Sequence, residues 1–190
     1  MRLRALLFSG VAASAIFVAA CSTGPKPAPA PACDQACRDG NALLAMRDIL
    51  KLAFNLTLQG KPVGTHDETT PCLSGGGKAR VYGTATSNAT QGTTEVHLTY
   101  ELDHCNYLQK STTPAQNYSM ALTGKIVEDG TLSAQPSSTS AVIFKSDGLT
   151  FSGTVYDPPQ DYQESCPLEL AQNGNQLAGT LCGRAAGTSL

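Results

Sequence analysis

Four short segments share one pattern, and it limits the fold more than any other feature of the chain. Val81-Tyr82-Gly83-Thr84-Ala85, Leu122-Thr123-Gly124-Lys125-Ile126, Phe151-Ser152-Gly153-Thr154-Val155 and Leu177-Ala178-Gly179-Thr180-Leu181 each set a glycine midway between two apolar residues. Residues two apart on a strand point to the same face, so each glycine shares a side with its apolar neighbours. A mid-strand glycine marks a bend, a bulge or the close approach of another element. Four of them on one side predict a strongly curved sheet. Residues 92–105 alternate clearly: Val96, Leu98, Tyr100 and Leu102 on one face, and Glu95, His97, Thr99, Glu101 and Asp103 on the other. That is the pattern of a half-buried antiparallel strand. Further strands are expected near 78–87, 117–128, 139–146, 149–156, 165–172 and 176–182. Asp129-Gly130 and Asp147-Gly148 suit hairpin turns.

One segment keeps a different period. Leu43, Leu44, Met46, Ile49, Leu50, Leu52, Ala53, Phe54, Leu56 and Leu58 form a broad apolar stripe, with Arg38, Asp39, Arg47, Asp48 and Lys51 on the polar side. This predicts a helix over 34–59, capped by Asp34, weakened early by Gly40 and stopped by Gly60-Lys61-Pro62. A stripe this wide needs a cover, and the concave sheet can provide it, with the helix lying against backbone that the glycines expose. The expected fold class is α+β and mostly β. It is a curved or barrel-like antiparallel meander of about seven or eight strands with one N-terminal helix packed on it.

The start of the chain concerns address rather than fold. Arg2 and Arg4 precede an uncharged run from Ala5 to Ala20, which is long for a signal-peptide core and short for a membrane span. The run ends Val18-Ala19-Ala20-Cys21, which resembles the lipobox of bacterial lipoproteins: an aliphatic residue, two small residues, then cysteine. The resemblance covers residues 1–21 only. It implies that residues 1–20 are a signal peptide and that Cys21 becomes the lipidated mature N-terminus, carrying diacylglycerol and a further acyl chain such as palmitate. Two or three chains anchor firmly where one does not. Ser22 in place of an aspartate favours, by class analogy, the outer membrane. Prolines at 25, 27, 29 and 31 make residues 22–32 an extended spacer of roughly 30 Å. Residues 33–190 are then a single globular domain.

Seven cysteines are present, and setting Cys21 aside leaves Cys33, Cys37, Cys72, Cys105, Cys166 and Cys182. An even remainder in an exported domain predicts three disulfides. A hairpin over 164–182 with a three-residue loop at Asn173-Gly174-Asn175 sets Cys166 opposite Cys182. Cys72 precedes one strand and Cys105 ends the next, so the outer ends of that hairpin bring them together. Cys33 and Cys37 then pair by elimination. The rival is that they tie the helix to the sheet through Cys72 and Cys105. Cys33-x-x-x-Cys37 lacks redox spacing and a nearby histidine, so a structural role is expected.

The chemistry is sparse. Formal net charge is -2, and removing Arg2 and Arg4 leaves 11 bases against 15 acids, or -4. This gives no basic surface for nucleic acid. Aromatic content is 6% with no tryptophan, which argues against a stacking platform. Three histidines are candidates. His66 is expected in a polar loop with Asp67 and Glu68, His97 shares a strand face with Glu95, Glu101 and Asp103, and His104 falls on the apolar side beside Cys105. The His97 group is the best acid–base or metal candidate, against the plain reading of a solvated strand face. Asp157, Asp161 and Glu164 frame Pro158-Pro159-Gln160 and could hold calcium. Nucleophile elbows, zinc-protease helices and phosphate-cradling loops are missing, so no catalytic residue, metal or cofactor is assigned. The expected function is a membrane-anchored envelope lipoprotein with a non-catalytic structural or protein-binding domain and an envelope protein as partner. The alternative is a carrier enclosing an apolar ligand between helix and sheet. An enzyme built on His97 comes third.

Overall fold

The computed structural model describes residues 33–61, 63–72, 76–133 and 140–190. The signal segment, Cys21 and the proline-rich spacer lie outside the described residues. One helix, α1 (Gln35–Thr57), precedes eight strands: β1 (Gly64–Pro71), β2 (Lys78–Asn88), β3 (Thr93–Gln109), β4 (Tyr118–Ser133), β5 (Ala141–Val155), β6 (Gln160–Asn173), β7 (Gln176–Leu181) and β8 (Arg184–Ser189). Each strand pairs antiparallel with the next in one sheet of order β1 to β8. This is the expected meander. It does not close, and β1 and β8 are its two edges.

The curvature follows from one contact pattern. A flat sheet of eight strands spans roughly 34 Å at ~4.8 Å per strand, while a helix is only about 10 Å across. Yet α1 touches β1, β2, β3, β4, β5 and β8, strands at both edges. The sheet must therefore curl around it. The helix itself says the same: Asp39, Gly40, Asn41, Ala42 and Leu43 are all buried, a run longer than one turn. That turn is thus covered on all sides, and Asp39 of the side expected to be polar is covered with it. Asp34 caps the N-terminus as expected, its Oδ1 accepting from the Cys37 N–H at 2.9 Å. Gly40 has a packing role: a Cβ there would lie 3.2 Å from the Gly187 carbonyl oxygen of β8.

Two devices bend the strands. Register shifts fall between Leu102 and Cys105 in β3, Gly124 and Val127 in β4, and Ser146 and Leu149 in β5. The extra residues lie in β3 and β5, the β4 shift being the partner side of the β5 bulge, and these two bulges add local twist and turn the sheet. The second device is the repeated glycine pattern, whose eight flanking apolar residues are all buried on the inner face. The helix does not fill the space these glycines leave. A Cβ on Gly83 would meet the His97 carbonyl oxygen at 2.1 Å, and one on Gly179 the Glu169 carbonyl oxygen at 2.2 Å, both on the adjacent strand. Here φ is +133° and +157°, a region that suits only glycine. The glycines therefore let neighbouring strands fold tightly together.

Three sequence expectations need correction. Asp129-Gly130 is not a turn but mid-strand in β4, where Gly130 pairs with Val96 and Val142. Asp147-Gly148 is the β5 bulge, so the two strands expected at 139–146 and 149–156 are one. Edge strands β1 and β8 were not expected at all. The core is one cluster in which Leu43, Met46, Ile49 and Leu50 of α1 meet Leu98, Tyr100, Met120 and Phe144 of the sheet, among others.

Sulfur pairs at bonding distance are Cys33–Cys37, Cys72–Cys105 and Cys166–Cys182. The β6–β7 register differs by one from expectation: Asn173 faces Gln176 across a two-residue turn, and Leu168 faces Leu181. Cys182 therefore lies past the end of β7, in the turn to β8, where its N–H donates to the Pro167 carbonyl at 3.1 Å. The sulfur reaches Cys166 from that turn.

Candidate functional site

Beside the exposed flank of α1 the structure opens into two adjoining clefts of about 590 Å³ each. They share Arg47, Lys51, Leu132 and Ser133. The first lies between the second half of α1, the β2–β3 hairpin and the end of β4, with Phe54, Tyr100 and Glu128 in its wall. The second runs along the other flank past Leu44, Asp48, Tyr118 and Leu190.

Glu128 is the unusual residue. On β4, inward positions read Tyr118, Met120, Leu122, Ile126 and Glu128, so the strand phase turns a carboxylate into an apolar interior. Only 2% of it is exposed. Its Oε2 accepts from the Tyr100 hydroxyl at 2.5 Å, and its Oε1 takes no hydrogen bond from any described residue. Burial raises the Glu128 pKa, while the Tyr100 hydrogen bond and then the charge of Arg47 oppose that shift. Burial also raises Tyr100 well above the usual phenol value, with the Glu128 charge adding to it. Arg47 does not ion-pair with Glu128. Its Nε donates to Gln172 Oε1 at 2.9 Å and its guanidinium lies 6.0 Å from the centre of the Phe144 ring. Lys51, one turn along, is exposed and without a partner among the described residues. Asp48 is occupied by the Tyr118 hydroxyl.

Between helix and sheet the described core side chains pack as one almost wholly buried cluster. A small apolar void of about 10 Å³ sits near Ile49, Ala53 and the Cys72–Cys105 pair. That is room for about one water, not for an acyl chain.

The residues singled out in the sequence lie elsewhere. His97 is on the outer face of β3. Its Nδ1 is 2.7 Å from Asp129 Oδ2 and its Nε2 is 3.6 Å from Glu95 Oε1. The Asp129 hydrogen bond raises its pKa. Glu101 is taken by Lys125 and Arg80, and Asp103 by His104, and these bonds lower both carboxyl pKa values. The expected group is therefore divided among separate ion pairs on an open surface, and Asp129 was not foreseen as the histidine's main partner. His66 is in strand β1 rather than a loop. His104 does not pack inward: its side chain is 78% exposed and it stands in the β3 bulge at φ +49°. Asp157, Asp161 and Glu164 do not converge. Glu164 instead joins Arg184 at 3.1 Å, and Arg184 also reaches the buried Asp39, which accepts from Tyr162 at 2.7 Å. That network ties the start of α1 to β6 and β8. Among the described residues no group of three metal-ligating side chains exists, and no helix is long and apolar enough to cross a membrane.

Tyr100 was expected as a plain apolar-face residue, and Glu128 carried no expectation of its own. The available signal was a charged residue in phase with Tyr118, Met120, Leu122 and Ile126. A turn expected at Asp129-Gly130 hid it by making Glu128 look like a strand end.

No known protein family matches the sequence, and no curated protein or solved structure matches it either.

Proposed function

We propose that this chain is a bacterial envelope lipoprotein, anchored through Cys21, whose domain is a non-catalytic binding module with the cleft beside α1 as its binding site. The lipobox-like Val18-Ala19-Ala20-Cys21 supports the anchor. The even number of remaining cysteines supports an exported domain. For the cleft, the observation that carries the reading is Glu128. A carboxylate almost wholly buried, held by one neutral hydroxyl and turned toward an open cleft, is costly to stability, and such groups concentrate at functional sites. The one hydroxyl–carboxylate pair described in the cleft is Tyr100–Glu128, and burial pushes that phenol well above its usual pKa, which suits a fixed hydrogen-bonding pair better than a nucleophile and its base and supports binding rather than turnover. Its openness and the packed interior favour a partner or ligand that docks from outside over one enclosed between helix and sheet.

Two measurements test this. Intact mass of the mature protein is expected to show position 21 acylated; a bare or disulfide-bonded Cys21 would overturn the anchor. A photo-crosslinking residue at Asn55, exposed in the cleft wall, is expected to give a discrete adduct in living cells. The same residue at Lys145, exposed on the outer face of the sheet, is not. Equal yields at the two positions would remove the cleft as the binding site.

A further inference from the structure

The charges around α1 indicate what chemistry the cleft takes. Lys61, Lys78, Arg80, Lys125, Lys145 and Arg184 each meet a carboxylate within 4 Å. Among the described residues Arg38, Lys110, Arg47 and Lys51 meet none, although the chain carries more acids than bases, and of these four only Arg47 and Lys51 line the clefts. They stand four residues apart on one helix, so they share a face, and both line both clefts. Gln172 holds Arg47 only by its Nε, leaving the two terminal nitrogens without a partner among the described residues. Two unpaired cations side by side repel each other, and an oxyanion placed between them relieves that repulsion. The nearby acids do not substitute for it: Asp48 accepts from Tyr118, and Glu128 is in the wall below and outside ion-pair distance.

The walls supply the second half. Phe54 and Leu132 flank the cations in the first cleft and Leu44 and Leu132 in the second, each partly exposed and packed on the core cluster. Apolar surface next to a bidentate cation pair suits a molecule with a charged head and an apolar body. Free inorganic ions would leave those walls wet. At the base, Tyr100 holds Glu128 Oε2, which leaves Glu128 Oε1 to accept from a hydroxyl or amide N–H of the ligand.

We propose that this cleft binds an amphipathic oxyanion, a carboxylate or phosphate ester carrying a short apolar chain or ring, with Arg47 and Lys51 holding the head and Phe54, Leu132 and Leu44 the body. This rests on the cleft being the binding site. The crosslink at Asn55 reads occupancy whatever the ligand, so a persisting adduct with no binding of the probes below sinks the ligand class alone.

The test uses the mature lipoprotein in neutral detergent micelles, with empty micelles as blank. Hexanoate, hexyl phosphate, acetate and hexanamide are titrated while the amide resonances of residues 47–54 and 128–133 are followed by NMR. Hexanoate or hexyl phosphate is expected to saturate these shifts, and which of the two binds more tightly names the head group. Acetate is expected to bind at least about tenfold more weakly for want of apolar contact, and hexanamide at least about tenfold more weakly for want of charge. Lys51→Gln, at an exposed position that leaves the fold intact, is expected to weaken hexanoate at least about threefold. Arg47→Gln should weaken it further. Equal binding of hexanoate and hexanamide, or an unchanged affinity in Lys51→Gln and Arg47→Gln together, overturns the anionic head. Equal binding of acetate and hexanoate overturns the apolar body. No saturable shift with either anion overturns the proposal.

Discussion

Replacing Glu128 by glutamine is expected to stabilise the protein at neutral pH and to do little in acid. The side chain is 2% exposed, its hydrogen-bond partner is the neutral Tyr100, and no cation meets it within ion-pair distance. Desolvation lifts its pKa above the ordinary 4.5, so the folded protein holds this proton more tightly than the unfolded chain does. For a carboxyl shifted upward, stability is fully present below the unfolded value. It falls as pH rises through the window between the unfolded and folded pKa, and is level above that window. Each pH unit inside the window costs about 1.4 kcal/mol. If the folded carboxyl keeps its proton to pH 7, the cost is 2.5 units at that rate, or about 3 kcal/mol. If it ionises sooner the cost is smaller, so about 3 kcal/mol is the ceiling on what the substitution can recover. Glutamine keeps an oxygen that can accept from Tyr100 and never carries the charge. Urea unfolding of oxidised wild type and Glu128→Gln, followed by circular dichroism from pH 4 to pH 8, measures the difference. The two midpoints should coincide near pH 4 and separate steadily above it, with glutamine the more stable. A variant less stable than wild type at pH 7, or a difference constant across the range, would refute the account of Glu128 as a destabilising buried acid.

Two further outcomes follow from the same geometry. The disulfide loops differ in length, with sequence separations of 33 for Cys72–Cys105, 16 for Cys166–Cys182 and 4 for Cys33–Cys37. Loop-closure entropy then ranks double alanine replacements at about 4, 3 and 2 kcal/mol lost respectively, measured by urea midpoints; a reversed order would show that local packing outweighs chain entropy. His97 is expected to titrate above 6.5 by NMR, and Asp129→Asn to return it toward that value, because the Asp129 hydrogen bond is the largest cause of the rise. Any stability from this pair is present below the unfolded histidine pKa and lost as pH rises through the folded one. A titration unmoved by Asp129→Asn would assign the shift to Glu95 instead.

What could be seen in the sequence was whatever an apolar period writes. The helix expected at 34–59 forms over Gln35–Thr57, and β3 buries Val96, Leu98, Tyr100 and Leu102 as its alternation requires. The four glycine patterns place all their apolar neighbours inward. The edge strands carry no such period. β1, Gly-Thr-His-Asp-Glu-Thr-Thr-Pro, has no large apolar side chain, and β8 is mostly Ala, Gly, Thr and Ser. An edge covers less core, so it needs little apolar surface and leaves little trace. Asp-Gly is a true turn signal in isolation. Yet at 129–130 the glycine serves a strand whose φ of +136° only it tolerates, and at 147–148 the pair forms a bulge. Local sequence cannot separate these uses, because the same Asp-Gly pair fits a turn, a strand position that needs glycine at 130 and a bulge at 148 where a Cβ would meet nothing.

The site was hidden for a related reason. Glycine-mediated bending lets the sheet reach around α1, and a helix encircled by a sheet no longer has a dry side and a wet side. Its charged residues find partners, as Asp39 does with Tyr162 and Arg184, or face a region that the sheet leaves open. Arg47 and Lys51 take the second course, and the inward Glu128 meets the same opening from the opposite wall. A solvated surface would scatter such charges and pair them, as the outer face of β1 to β4 does with Asp67, Arg80, Glu101 and Lys125. Two unpaired cations on the helix and an isolated acid on the sheet, around one opening, are the opposite of that arrangement. Folding alone would favour pairing or removing the buried Glu128, and its place in the cleft wall beside these two cations is the reason to look for the protein's activity there rather than at its exposed histidines.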